Sequence, residues 1–184
     1  MTHQMQPGMI APSFRTVDLY GNFVSLENYR GRKVLLAFLR FSACALCNLR
    51  VHQFIGRYPD WQRQGMEVIT VFESPEANMQ TYVGAQNAPF PLVADPQADL
   101  YDLYGVETSE EKVRMTMADA NTKSFAEEAA AAGFPLTPEN GSNFNRIPAE
   151  FLINERGIVH LAHYSRILTD HLPLAEIDSF ASGE

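Results

Sequence analysis

Val34-Leu35-Leu36-Ala37-Phe38-Leu39, followed five positions later by Cys44-Ala45-Leu46-Cys47, is the stretch on which the reading of this chain turns. The apolar run is continuous rather than alternating, as expected of a strand covered on both faces. From Cys44 the period changes. Cys47, Val51, Phe54, Ile55 and Tyr58 recur at helical spacing and form one apolar stripe. A buried strand therefore feeds a helix whose first turn carries two thiols. At that position the partial positive charge of the helix N-terminus favours thiolate over thiol at Cys44. Thiolate is the nucleophile in disulfide exchange and in peroxide reduction. The stripe puts Cys47 at the head of the buried face and Cys44 at the open end. A solvent-facing attacking thiol backed by a shielded partner is the expected geometry.

Working outward, Arg15-Thr16-Val17-Asp18-Leu19 alternates like a strand, Tyr20-Gly21-Asn22 makes a turn, and Val24-Ser25-Leu26 returns. Pro59 is expected to kink or restart the first helix, with Trp61 packing beyond it. Met66 to Phe72 is a second buried strand. Ser74-Pro75-Glu76 reads as the start of a helix, with Ser74 as cap. Pro91 to Asp95 is a short strand leading into a helix through Leu100, Tyr101 and Tyr104. Residues 105–145 break this rhythm. Ser109 and Asn121 look like caps, and Phe125 to Ala132 is a good helix former ending at Gly133. We read this stretch as an insertion, a lid or an interface, with Met115 and Met117 packing inward. Ala149 to Ile153 and Ile158 to Tyr164 form a hairpin around Asn154–Gly157, and a last helix covers 172–181. The alternation of strands and helices predicts an α/β class with a parallel component and one domain over 1–184.

A formal net charge of −8 with scattered basic residues argues against nucleic acid as a partner. No stretch approaches the roughly 18 apolar residues of a membrane span, and Met1–Pro12 has no signal-like pattern. With Met1 as the true start, the expected compartment is the cytoplasm. There a structural disulfide does not persist, so the cysteine pair is expected to be reactive or metal-binding. A zinc site needs four ligands, and no second cysteine pair exists. His160 and His163 stand three apart on a strand and point to opposite faces. No metal and no cofactor are expected. His52 lies off the face of either cysteine and reads as solvated.

Four segments carry a resemblance to the thioredoxin-like superfamily, within it to the alkyl hydroperoxide reductase and thiol-specific antioxidant branch. They are Gly8-x-x-Ala11-Pro12-x-Phe14, Val24-Ser25-Leu26 with Gly31, Phe38-Leu39-Arg40 through Cys44-x-x-Cys47, and Ile147-Pro148-Ala149-Glu150-Phe151-Leu152-Ile153 with Gly157. The resemblance implies a central mixed sheet flanked by helices, with an N-terminal hairpin and a helical insertion at 105–145. It implies that Pro148 is a cis-proline facing the dithiol, and that the backbone of Ile147 is free to pair with an extended substrate. It also implies a peroxide or disulfide substrate and an external dithiol donor. Two departures stand out. With Cys47 as the peroxide-reacting cysteine, Arg40 occupies the branch's proline position and Cys44 its threonine position. Against thioredoxin, Ala45-Leu46 replaces glycine-proline between the cysteines.

The resulting expectation is an antioxidant thiol oxidoreductase that cycles Cys44 and Cys47 between dithiol and disulfide. Arg40 is the candidate to stabilise a thiolate or a departing oxygen, with a surface ion pair as the equal alternative, and Arg146 is a weaker candidate. The rival class is a thioredoxin-fold binding module, possible as a homodimer, with 105–145 as its partner surface and the thiols as a switch.

Overall fold

The computed structural model describes residues 3–184. β3 (Lys33–Phe38) lies at the centre of a five-stranded sheet of order β5-β4-β3-β6-β7. It pairs in parallel with β4 (Met66–Phe72) and antiparallel with β6 (Ala149–Ile153); β5 (Leu92–Ala94) and β7 (Val159–Tyr164) form the edges. β1 (Arg15–Val17) and β2 (Phe23–Ser25) make a separate antiparallel pair, as their alternation and intervening turn predict. The continuous apolar run of β3 follows from its position. Leu35 and Ala37 pack beneath α1 (Ala45–Arg63) and α6 (Leu174–Ser182), against Val51, Phe54, Trp61 and Ile177. Leu36 and Phe38 point the other way, onto Tyr101, Tyr104 and Phe151. Tyr101 belongs to the short α3 (Asp99–Leu103).

Pro59 does not restart α1, which runs unbroken to Arg63. The proline sits on the exposed side of the helix, where a missing backbone donor costs least, and Trp61 is buried two residues beyond. Ser74 does not cap α2 (Glu76–Thr81), whose cap residue is Pro75; its hydroxyl is engaged elsewhere.

The hairpin between β6 and β7 turns through Gly157, whose φ of +72° lies in the left-handed region. A Cβ there would also press on the Arg30 guanidinium. Gly157→Ala is expected to cost about 1–2 kcal/mol, read as a lowered midpoint in urea unfolding.

The insertion supplies α4 (Glu110–Ala118) and α5 (Thr122–Ala131). Ser109 caps α4 by accepting from the Lys112 N–H, whereas Asn121 makes no side-chain cap. Both helices close over the start of α1. Ala129 packs on Ala45 and Leu49, and Val113 on Ile147, Leu168 and Leu46. Met115 and Met117 do not pack inward as expected but remain largely exposed, because α4 turns its small Val113–Thr116 face to the core.

Candidate active site

β3 ends at Phe38, and the loop 39–43 carries the chain to Cys44, the residue that precedes α1. That loop is fastened on every side. The Leu39 N–H donates to Val71 O, and the Glu73 N–H to Arg40 O. The Asn48 side-chain amide, from the second turn of α1, donates to the carbonyls of Ser42 (2.8 Å) and Cys44 (3.0 Å). These contacts hold the two thiols at the mouth of the helix.

The thiols are free, and their sulfurs lie 2.7 Å apart. The Cys44 Sγ accepts from the Cys47 N–H at 3.4 Å, as a thiolate at a helix N-terminus does. The Cys47 Sγ accepts from the Arg40 N–H at 3.4 Å. Burial alone would raise the Cys44 thiol. The Cys47 thiol donating to it, the Arg40 charge and the helix N–H outweigh burial and bring it down to about 6. Cys47 moves the opposite way, pushed up by burial, by its bond to Cys44 and by the neighbouring negative charge. One thiol is an ionised nucleophile at neutral pH and the other keeps its proton.

Arg40 is the charged group that adds to the Cys47 hydrogen bond in holding the Cys44 thiolate. Its Nη1 lies 3.7 Å from Cys44 Sγ, its Nε donates to Arg146 O at 3.1 Å, and its Nη2 donates to Phe144 O. The guanidinium is packed against the rings of Phe41 and Phe144, with centroids at 4.9 and 5.0 Å. It forms no ion pair with a carboxylate among the described residues. A buried guanidinium held only by carbonyls needs a counter-charge, and the Cys44 thiolate supplies it. Arg146 is different. It is committed to Glu73 (2.6 Å) and to Val106 O, over the Tyr101 ring, and it braces the insertion instead of facing the thiols.

Three expectations fail here. Cys44 is not solvent-facing: it is 4% exposed and Cys47 1%, because the insertion covers the open end of α1. Pro148 is not cis, since the described residues contain no cis peptide bond; trans is the lower-energy isomer even before proline. The Ile147 backbone is not free either. Its N–H donates to Glu107 O while the Ser109 N–H donates to Asn145 O, so Glu107–Ser109 already pairs along the edge reserved for a substrate.

A family model described as the AhpC/TSA family matches residues 7–162. The chain belongs to the AhpC/TSA family. It is 31% identical over 104 residues to a peroxiredoxin-named protein of Mycobacterium tuberculosis, covering 56% of this chain and 66% of that one. It is 33% identical over 100 residues to the thiol-disulfide oxidoreductase ResA of Geobacillus thermodenitrificans, covering 54% and 57%. The match thus spans less than two thirds of the length of these relatives. The crystal structure of peroxidoxin BcpB from Mycobacterium tuberculosis superimposes with a TM-score of 0.67 at 15% identity, over 97% of this chain and 96% of that one. The fold is thioredoxin-like.

Within this AhpC/TSA site, the sequence reading missed Glu139. It lies in the loop after α5, is buried, and reaches the loop before Cys44 from the far side. Oε2 accepts from Ser42 Oγ (2.7 Å) and the Ala43 N–H (2.9 Å). Oε1 accepts from Ser74 Oγ (2.6 Å) and the Asn78 side-chain amide (3.1 Å). Burial would raise its carboxyl, but these four donors hold it below the usual range. Ser74 spends its hydroxyl here, which is why it caps nothing. Nothing local in the Pro-Glu-Asn-Gly stretch distinguishes this glutamate from a solvated loop residue.

Proposed function

We propose that this protein is a thiol-dependent peroxide reductase in which Cys44 attacks first and Cys47 resolves. The observation that carries the reading is the Arg40 guanidinium beside Cys44 Sγ with no carboxylate to neutralise it. It stabilises the thiolate before reaction and the developing negative charge on the departing oxygen during it. The assignment of order rests on access. Cys44 lies in the wall of an apolar cavity of about 500 Å³, shared with Arg40, whereas Cys47 does not line it.

The Cys44 thiolate attacks the terminal oxygen of ROOH. The S–O bond forms, the O–O bond breaks, and the alkoxide leaves as ROH with a proton from Cys47. The Cys47 thiolate then attacks the sulfur of the Cys44 sulfenic acid, forming the disulfide and expelling hydroxide, which solvent protonates to water. Two electrons pass from the dithiol to the peroxide. The same poised thiolate also supports a second reading, reduction of a small disulfide, which the likeness to the thiol-disulfide oxidoreductase ResA favours.

Consumption of hydrogen peroxide by the fully reduced protein tests the proposal, with Cys44→Ser and Cys47→Ser alongside. Rapid consumption is expected in the wild type and none in Cys44→Ser. Cys47→Ser should complete a single turnover and leave a sulfenic acid that dimedone traps. A rate no better than that of a free thiol, with brisk reduction of a disulfide substrate, would transfer the function to disulfide exchange.

A further inference from the structure

Each turnover leaves a Cys44–Cys47 disulfide that an outside reductant must open, and the insertion decides what can reach it. Glu107–Ser109 occupies the edge of segment 145–147 through two backbone hydrogen bonds, so an extended polypeptide cannot add there as a strand. Glu139 fastens the loop after α5 to Ser42, Ala43 and Ser74, and Ala129 seals the first turn of α1 at Ala45. What remains is the 500 Å³ cavity, whose lining includes Met117, Leu136 and Phe144, themselves 63%, 78% and 51% exposed. A cavity of that volume is the size of a small-molecule site. A protein partner instead must lay its own surface against the sulfur, roughly 600 Å² or less a side even in a weak redox encounter, and Cys44 and Cys47 are only 4% and 1% exposed.

We infer that the electron donor is a low-molecular-weight thiol with an apolar body, and that the insertion, latched by Glu139, excludes protein dithiols. This rests on the dithiol cycle proposed above. The donor thiolate attacks Cys44 Sγ, forming an RS–Sγ bond and breaking the Sγ–Sγ bond; Cys47 leaves as thiolate and takes up a proton. A second donor thiolate attacks the sulfur of the bound RS group, releasing RSSR and the Cys44 thiolate. Two donor thiols thus supply the two electrons. Arg40 receives the restored thiolate, and the side chains of Leu46, Met117, Leu136 and Phe144 offer the donor an apolar wall. Glu139 reaches the cavity wall, but both its carboxylate oxygens are taken up by Ser42, Ala43, Ser74 and Asn78. It is a positioning residue that keeps the enclosure shut.

The reductive half of the cycle can be read without peroxide. The protein is oxidised with diamide, freed of oxidant, and its disulfide followed by thiol counting. The reductant is either benzyl mercaptan or a bacterial thioredoxin kept reduced by its reductase and NADPH. Benzyl mercaptan is expected to reduce the wild type readily, and thioredoxin roughly 100-fold more slowly, limited by the rarity of an opened insertion. Glu139→Ala is expected to speed thioredoxin by about tenfold or more, because losing the latch populates the open form; a merely structural loss would slow both reductants. Met117→Trp, at an exposed position in the cavity wall, should slow benzyl mercaptan severalfold, and an unchanged rate would overturn the cavity as the donor's site. It keeps the inference open to refutation even if Glu139→Ala does not fold. Thioredoxin acting on the wild type as fast as benzyl mercaptan would overturn the inference alone. Failure of diamide to form the disulfide would overturn the dithiol cycle and the inference together.

Discussion

Arg40→Met is expected to return Cys44 to a thiol at neutral pH. In the wild type its pKa is held at about 6. Without the guanidinium the group has the desolvation of full burial against only the helix N-terminus and the Cys47 thiol, so its titration should move to the ordinary cysteine value of about 8.5 or above. At neutral pH that removes most of the thiolate, a loss of roughly 10- to 100-fold in alkylation rate and in peroxide consumption. The thiolate absorbance, followed against pH in both proteins, measures it directly. An unshifted midpoint would mean that the Cys47 thiol and the helix terminus sustain the thiolate without the guanidinium. Arg40→Lys should recover only part of the effect. An ammonium is a point charge and cannot reach Cys44 while also holding the carbonyls of Phe144 and Arg146.

The same depressed pKa couples stability of the reduced protein to pH. Between about pH 6 and about pH 8.5 the unfolded chain keeps the Cys44 proton that the folded chain has lost, so stability rises with pH by about 3 kcal/mol in all. The gain is fully present above the unfolded value and is lost as pH falls through the folded one. Above about pH 8.5 the raised Cys47 reverses the trend, since the unfolded state then sheds a proton that the folded state keeps. Urea unfolding of the reduced protein near pH 6 and near pH 8 should show the rise in wild type and little of it in Arg40→Met.

Glu150→Ala is expected to destabilise the protein by about 3–5 kcal/mol, the usual cost of stranding one partner of a buried ion pair. Glu150 on β6 meets Arg50 on α1 through two hydrogen bonds of 2.7 and 2.8 Å, and neither side chain is open to solvent. Its Oε2 also accepts from the Leu172 N–H, and Arg50 donates to Leu172 O. His171 Nδ1 stands 3.4 Å away as a further electrostatic neighbour. Burial would raise the Glu150 carboxyl, but the Arg50 charge and His171 pull it far below the usual range. The pair therefore keeps its contribution at all pH values above the ordinary glutamate value of about 4.3 and loses it as pH falls below. Chemical unfolding should register the full loss in Glu150→Ala and a largely restored midpoint in Arg50→Met/Glu150→Leu, where no charge is left buried. A small effect in the single variant would mean that water reaches Arg50.

Much of this molecule is written locally. The continuous run Val34–Leu39 forms a strand between two covered faces, and the stripe from Cys47 to Tyr58 forms the helix behind it. The turn at Asn154–Gly157 makes a hairpin because only a few residues specify each of these elements. The cysteine spacing likewise announces its chemistry, since a helix N-terminus and two thiols three positions apart suffice to define it. What the local pattern cannot carry is whatever arrives from far along the chain. Pro59 lies within a helix because its face happens to be exposed. Ser74 abandons its cap for Glu139, which lies 65 positions away. Cys44 is enclosed because α4 and α5 fold back over it, and Arg40 faces it because the carbonyls of Phe144 and Arg146 hold the guanidinium there. The sequence by itself determined the strands, the first helix and the identity of the reacting atoms. Only the tertiary structure decided how the counter-charge to Cys44 is held and how the sulfur is reached, because the carbonyls that fix Arg40 and the helices that enclose Cys44 lie tens to a hundred residues away and meet it only when the chain is folded.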